Sequence, residues 1–254
     1  RTRETLELEG DHVLSSMPIR DLIAAVDGDV PSEVREVADG LVYRDFLTVG
    51  LLVKELAVSN HTAIRTVNGV IPDNWIYIQE RDVKLGRLQI FNNWSPYMVR
   101  DPHTVWLGLE YFCTEGDSLW SRADADMSVF AVEEMVRIGL IQPDRVLDSV
   151  VIRIPKAYPA YFGTYDRFDV IRHYTDRIAN LFLIGRNGMH RYNNQDHSML
   201  TAMQAVQNVL EGVSDKEALW QINTEQEYHE EKQKVSSPQK ARHPARVLRA
   251  AIDR

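Results

Sequence analysis

Three features of the sequence predict a mixed α/β (α+β) fold. Residues Thr104 to Phe112 alternate strictly, with Val105, Leu107, Leu109 and Tyr111 on one face, as a half-buried strand does. Two stretches, 124–139 and 196–212, place apolar residues at helical spacing and end at Gly139 and Gly212. Residues 181–184 are a short, wholly apolar strand that runs through a glycine-bearing turn into the second of those helices. The expected architecture is a largely antiparallel sheet with flanking helices. With 254 residues, 44% hydrophobic and 26% charged, the chain has an ordinary globular composition and enough length to bury a sizeable core.

Each element has a local reason. Residues 5–9 alternate as a strand would, although the chain opens at Arg1 in what reads as the middle of a fold. We expect from this a fragment whose missing part lies upstream. A strand at 12–16 gives way at Pro18, which suits a helical first turn, to a helix at 18–25. Pro31 opens a second helix over 31–40, with Val34 and Val37 inward and Gly40 at its end. Tyr43 to Glu55 is rich in β-branched and apolar residues and reads as a long strand. Residues 59–73 carry turn chemistry, including Asn68-Gly69 and Pro72-Asp73. Strands follow at 75–79 and 87–92, the second leaving into a polar loop, Asn92-Asn93-Trp94-Ser95-Pro96. Asp124 is placed as the cap of a helix that buries Met127, Phe130, Ala131, Met135 and Ile138, with Glu133 and Glu134 solvated. A strand at 146–154 and a helix at 166–179 precede the 181–184 strand. The last helix, 196–211, is expected to bury a stripe of Met199, Met203, Val206 and Leu210.

Composition narrows the function. A net charge of −8 argues against nucleic acid as the main partner, because phosphate binding needs a basic field. No apolar run approaches the ~20 residues of a membrane span. Cys113 is the single cysteine, which points to a reducing cytosol, so a cytoplasmic location is expected. From Glu231 to Arg254 there are seven Lys or Arg against two Asp or Glu, so 223–254 reads as a polar, basic tail. His190 and His197 lie seven apart with no ligand-spaced partner, and no metal site is expected.

Residues 180–200, N-L-F-L-I-G-R-N-G-M-H-R-Y-N-N-Q-D-H-S-M-L with Asn180 at the head, carry the most chemistry. An apolar strand, a glycine turn and a helix N-terminus make a device for holding an anion: glycines permit close approach, and free N–H groups attract negative charge. Arg186 adds a planar cationic fork. It serves either an anion or a structural carboxylate such as Asp196. Asp196 is also the simplest cap of the last helix.

This segment resembles the C-terminal FAD-binding signature of the family of flavin amine oxidases, protoporphyrinogen oxidases and UDP-galactopyranose mutases. The mutase form is G-R-x-x-x-x-x-Y-x-D-x-D. Here Gly185-Arg186, Tyr192 and Asp196 match, and Asn194 stands where the first Asp would be. Residues 12–24 resemble the family's strand that re-enters the FAD domain, and Lys156 to Tyr161 resemble its approach to the last strand. The resemblance runs in order over residues 12–212. It implies a returning part of an FAD-binding domain at 1–40, a substrate domain at 41–165, and the C-terminal part of the FAD-binding domain at 166–222. It implies FAD as cofactor, with Met17, Pro18, Gly185, Arg186, Tyr192, Asn194, Gln195, Asp196 and His197 facing it. Asn93, Trp94, Tyr161 and Tyr192 are the expected contacts to a small-molecule substrate. The function implied is an FAD-dependent oxidoreductase of amine oxidase or protoporphyrinogen oxidase type. Alternatives are a mutase-like sugar-nucleotide isomerase and a non-catalytic, partner-binding fragment. The family's N-terminal G-x-G-x-x-G is absent, so this chain alone is expected to bind FAD weakly or not at all. No catalytic residue is singled out.

Overall fold

The computed structural model describes residues 6–222. The tail expected at 223–254 lies outside them. The elements run β1 (Val13–Ser15), α1 (Ile19–Ala25), α2 (Ser32–Asp39), β2 (Leu41–Val53), β3 (Trp75–Tyr77), β4 (Arg87–Ile90), α3 (Phe91–Trp94), β5 (Val105–Cys113), α4 (Asp124–Arg137), β6 (Val146–Gly163), α5 (Phe168–Asp176), β7 (Leu181–Leu183), α6 (Gly185–Gly188), α7 (Gln195–Glu211) and α8 (Glu217–Trp220).

The expected antiparallel sheet is present. Its order is β3-β4-β5-β2-β6, and every neighbouring pair is antiparallel. Val49 sits opposite Leu109 on one side and Val151 on the other, so one face of the sheet is continuously apolar. Helix α4 covers that face with Met127, Ala131 and Met135. The core between them holds Leu47, Val49, Leu51, Leu107, Leu109 and Tyr111, all fully buried.

A second core joins the two ends of the chain. Ile19, Ile23, Val34 and Val37 from α1 and α2 pack with Ile171, Phe182, Leu183, Ala205 and Trp220. Strands β1 and β7 pair in parallel, Ser15 opposite Leu183, despite their distance in sequence. Gly188 makes this join possible: a Cβ there would stand 2.4 Å from the Ser15 carbonyl oxygen.

Several expectations need correction. Strand β6 runs to Gly163, not 154, because it bends at Lys156 (φ 54) and continues beside β2. Buried Asp45 accepts the backbone N–H groups of Lys156 and Glu115 at 2.7 and 2.6 Å and fixes that bend. The loop after β4 starts as a helical turn, α3. Ala123, not Asp124, caps α4, while Asp124 accepts from Arg153 Nη1 at 2.6 Å. Glu134 is buried rather than solvated, since its carboxylate accepts the N–H groups of Lys84 and Leu85. The stripe of α7 is inverted. Thr201, Ala205 and Asn208 face the core, and Met199, Met203, Val206 and Leu210 face out.

Candidate functional site

Parallel strands place ligands at their carboxyl ends. The register of β1 and β7 brings Met17 and Pro18, just after Ser15, to the same end as Gly185 and Arg186, just after Leu183. Ile184 N–H donates to the Ser15 carbonyl at 3.0 Å, locking the two exits together. Met17 is exposed, and Pro18 opens α1. Gly185 takes φ 69, a backbone state that suits glycine, and its N–H donates to Thr201 Oγ1 at 3.0 Å. This ties the turn to α7.

The N-terminus of α7 closes the same corner. Its cap is Asn194, which forms a capping box with His197; Asn194 N–H donates to His197 Nδ1 at 3.4 Å. Asp196 is therefore not the cap. It lies exposed in the first turn beside Gln195, where its charge favours the positive end of the helix.

Among the described residues Arg186 pairs neither with Asp196 nor with another carboxylate. Its Nε and Nη2 donate to the Asn193 carbonyl at 2.9 and 2.6 Å, and Nη1 donates to the Ala157 carbonyl at 3.3 Å. The guanidinium also lies 4.8 and 4.9 Å from the ring centres of Tyr158 and Tyr192. Those two rings stack 6.1 Å apart. Tyr192 N–H donates to Tyr161 Oη at 2.6 Å, and Tyr161 stacks on Tyr165 at 4.7 Å. Arg186 thus welds the loop before α7 to the bend of β6.

Tyr158 carries the contact onward into the sheet. Its hydroxyl accepts from Arg87 Nη2 at 2.7 Å. Arg87 is buried, paired with Glu110, and covered by Trp75 and Phe112 at 4.9 and 4.8 Å from its Cζ. Gln89 donates to the same carboxylate of Glu110. Cross-strand register produces this cluster, because Arg87 sits opposite Glu110 and Tyr77, and Gln89 opposite Trp75. Trp75 in turn meets Trp94 edge-on at 6.4 Å. A continuous path of rings and guanidinium groups therefore links Trp94, Trp75, Arg87, Tyr158, Arg186 and Tyr192 across the face of the sheet that α4 does not cover.

The structure brings most of the anticipated residues into one region, with differing availability. Trp94 is half exposed. Asn93 lies at the periphery and spends both amide N–H groups on the carbonyls of Ile71 and Asp73. Arg87 and Gln89 carry no local signal in the sequence, and Tyr158 stands out only as part of the Lys156–Tyr161 stretch. The one available signal was Glu110 within an apolar strand, which demands a buried cation partner. His190 also belongs to the neighbourhood but not to the surface. It is fully buried, bonded to the Ala160 carbonyl through Nε2 and enclosed by Tyr43, Tyr165 and Phe168.

No family model matches the sequence, and no curated protein matches it. Solved structures match in fold. A crystal structure of reduced UDP-galactopyranose mutase superposes with a TM-score of 0.66 over 84% of this chain and 44% of its own, at 21% identity. A structure described as a candidate protoporphyrinogen oxidase from Exiguobacterium sp. 255-15 gives a TM-score of 0.50 over 80% of this chain and 41% of its own, at 13% identity. The chain spans less than half the length of each of these proteins, and over that span it has their fold.

Proposed function

We propose that this chain forms the substrate-facing and flavin-facing part of an FAD-dependent cytoplasmic enzyme. One observation carries the reading. The carboxyl ends of β1 and β7, the Gly185-Arg186 turn and the amino end of α7 meet at one corner, and that corner abuts the aromatic face of the antiparallel sheet. The donor set fits the cofactor in part. Gln195 and Asp196 are exposed in the first turn of α7, where N–H groups lack partners within the helix and would suit an anionic or carbonyl edge, and Met17, Pro18 and Tyr192 would supply apolar contact. No G-x-G-x-x-G phosphate turn is present in these 254 residues.

When bound, FAD would supply the hydride or electron chemistry. The chain's residues position and shield. Arg186 holds Tyr192 against Tyr158, Tyr161 anchors the Tyr192 backbone, and Trp94 with Trp75 walls the far side. The reaction we assign is oxidoreduction of amine oxidase or protoporphyrinogen oxidase type. In support, the cations of the site are already engaged: Arg87 by Glu110, Arg186 by two carbonyls. With these N–H groups already occupied, the face offers few donors to a diphosphate, which favours an apolar substrate.

A second reading is supported by the fold match to the mutase and by the Gly185-Arg186, Tyr192, Asn194 and Asp196 pattern. It is a flavin-dependent isomerisation of a sugar nucleotide. The test is direct. The complete protein should be yellow, and its flavin should bleach anaerobically on adding a candidate amine or porphyrinogen. Turnover of a UDP-sugar only after dithionite reduction would replace the first reading with the second. A colourless protein unable to retain added FAD would sink both and leave a partner-binding role.

A further inference from the structure

One end of the antiparallel sheet carries apolar side chains that its core does not take up. Register places the end of β2, the start of β3, the end of β4 and the start of β5 together there. Two loops leave from it, 54–74 between β2 and β3 and 91–104 between β4 and β5. Ile64 and Val67 on the first loop are 61% and 40% exposed. Trp94, Tyr97 and Met98 on the second are 48%, 96% and 51% exposed. Single exposed apolar residues are ordinary, but five on two joined loops mark a contact surface.

Polar bonds hold these side chains outward. Asn60 Nδ2 donates to the Ile64 carbonyl at 2.7 Å, and Asn60 Oδ1 accepts from Thr62 N–H at 2.9 Å, so Ile64 rides on a closed turn. Ser95 Oγ accepts from Tyr97 N–H at 3.3 Å at the head of the short turn Pro96–Met98. Asn68 Nδ2 donates to the Pro102 carbonyl, and Asn93 Nδ2 to the Ile71 carbonyl at 2.7 Å, which ties the loops together. Charge singles out the same place. Loops 54–74 and 91–104 balance Lys54, Arg65 and Arg100 against Glu55, Asp73 and Asp101, whereas the whole chain carries −8. The acid excess therefore lies elsewhere, and an anionic surface does not repel this end.

We propose that these loops seat the protein on a lipid bilayer, with Ile64, Val67, Trp94, Tyr97 and Met98 entering the interfacial layer. Three observations select lipid over another protein. Tyr97 stands almost wholly clear of its own chain, as an inserting side chain does, whereas a flat protein contact favours aromatics set into a surface. Arginines beside the apolar tips suit anionic headgroups. Trp94 also meets Trp75 edge-on and so heads the path of rings that ends at Tyr192. An apolar substrate dissolved in the bilayer would reach the site from that end. Among the described residues no helix is long and apolar enough to cross a membrane, so the contact is with the surface. The inference goes beyond the flavin reading and does not depend on it.

Vesicle flotation of the complete protein tests it, with vesicles of phosphatidylcholine alone and of phosphatidylcholine with phosphatidylglycerol. The protein should float with both, more strongly with the second. Tyr97→Ser combined with Met98→Ser, both at exposed positions, should weaken binding about tenfold or more at unchanged melting temperature. Brominated lipid should quench part of the tryptophan emission. Trp94→Phe should remove that part, and Trp220→Phe, in the chain-end core, should not. Failure to float, flotation indifferent to the double substitution, or quenching that survives Trp94→Phe overturns the proposal. So does a dimer that the double substitution dissociates, because it assigns the loops to a second copy. Flotation of a colourless protein that retains no FAD upholds the bilayer contact and removes the flavin reading alone.

Discussion

Arg186 shows how a strand-end cation can be held by backbone carbonyls and aromatic rings rather than by a carboxylate. Three of its N–H donors are held by the carbonyls of Asn193 and Ala157, and its plane lies against two tyrosines. Charge-assisted bonds and ring contacts of this kind contribute on the order of 1–3 kcal/mol each when shielded, with partial overlap. Arg186→Ala should therefore lower stability by roughly 2–4 kcal/mol in urea unfolding, and lysine should restore only part, since it lacks the fork. If Arg186 also orients Tyr192 and the α7 terminus for FAD, flavin retention per folded molecule should fall about ten- to a hundredfold. Unchanged retention with a lower unfolding midpoint would confine Arg186 to a structural role. His190 gives a pH signature. Burial among three rings pushes its imidazole down to about 4 from an ordinary 6.5. As pH falls through 6.5 the unfolded chain takes up a proton that the folded chain refuses until about 4. Stability from this residue is thus complete above 6.5 and is lost downward across that window, by roughly 3 kcal/mol in total. Urea midpoints measured from neutral pH to about 4.5 should show the slope. His190→Gln should flatten it, and an unchanged slope would place the proton elsewhere.

Elements were legible where one local rule decided them. Alternation gave β5, proline and glycine punctuated α1, α2 and α4, and an unbroken apolar triplet gave β7. What failed needed partners distant in sequence. Strand β6 continues past its own proline because β2 and Asp45 hold it there. Glu134 is buried because the backbone at Lys84 and Leu85 needs an acceptor. The site divides the same way. Gly185, Arg186 and Tyr192 were visible as a motif, whereas Arg87 and Gln89 join through strand register and Tyr158 through its bond to Arg87. Helix α7 is the sharpest case, since periodicity finds an apolar stripe but not which side it meets. Two substitutions separate the possibilities in the 254-residue chain. Met203→Asp, on the open side, should cost under about 1 kcal/mol, while Ala205→Asp, fully buried, should cost several, on the order of an unpaired buried charge. A larger loss for Met203→Asp than for Ala205→Asp in thermal melts would mean the helix sits the other way round.

At the scale of the molecule, two cores share their strands. Leu41 of β2 lies in the core of the chain ends, and Leu47 to Val53 of the same strand lie in the core under α4. Strand β6 binds the two together at its bend. Lys156 Nζ pairs with Asp21 of α1 at 2.6 Å, the Lys156 carbonyl accepts from Asn187, and the Ala157 carbonyl accepts from Arg186. Farther on, the Ala160 carbonyl holds His190, Tyr161 Oη accepts from Tyr192 N–H, and Thr164 Oγ1 donates to the Val37 carbonyl at 2.6 Å. Neither core can open without breaking a strand that the other needs. The described region should therefore unfold in one transition. Leu107, fully buried under α4, and Trp220, in the other core, make the test. Leu107→Ala should cost about 2–5 kcal/mol through lost burial and the cavity left behind. The loss should appear equally at both ends: the urea midpoint from far-ultraviolet circular dichroism and that from Trp220 fluorescence, isolated by comparison with Trp220→Phe, should shift together. A Trp220 midpoint that stays put while the circular dichroism midpoint falls would show that the strands do not couple the cores. The corner at Arg186 and Tyr192 would then be held by the chain-end core alone.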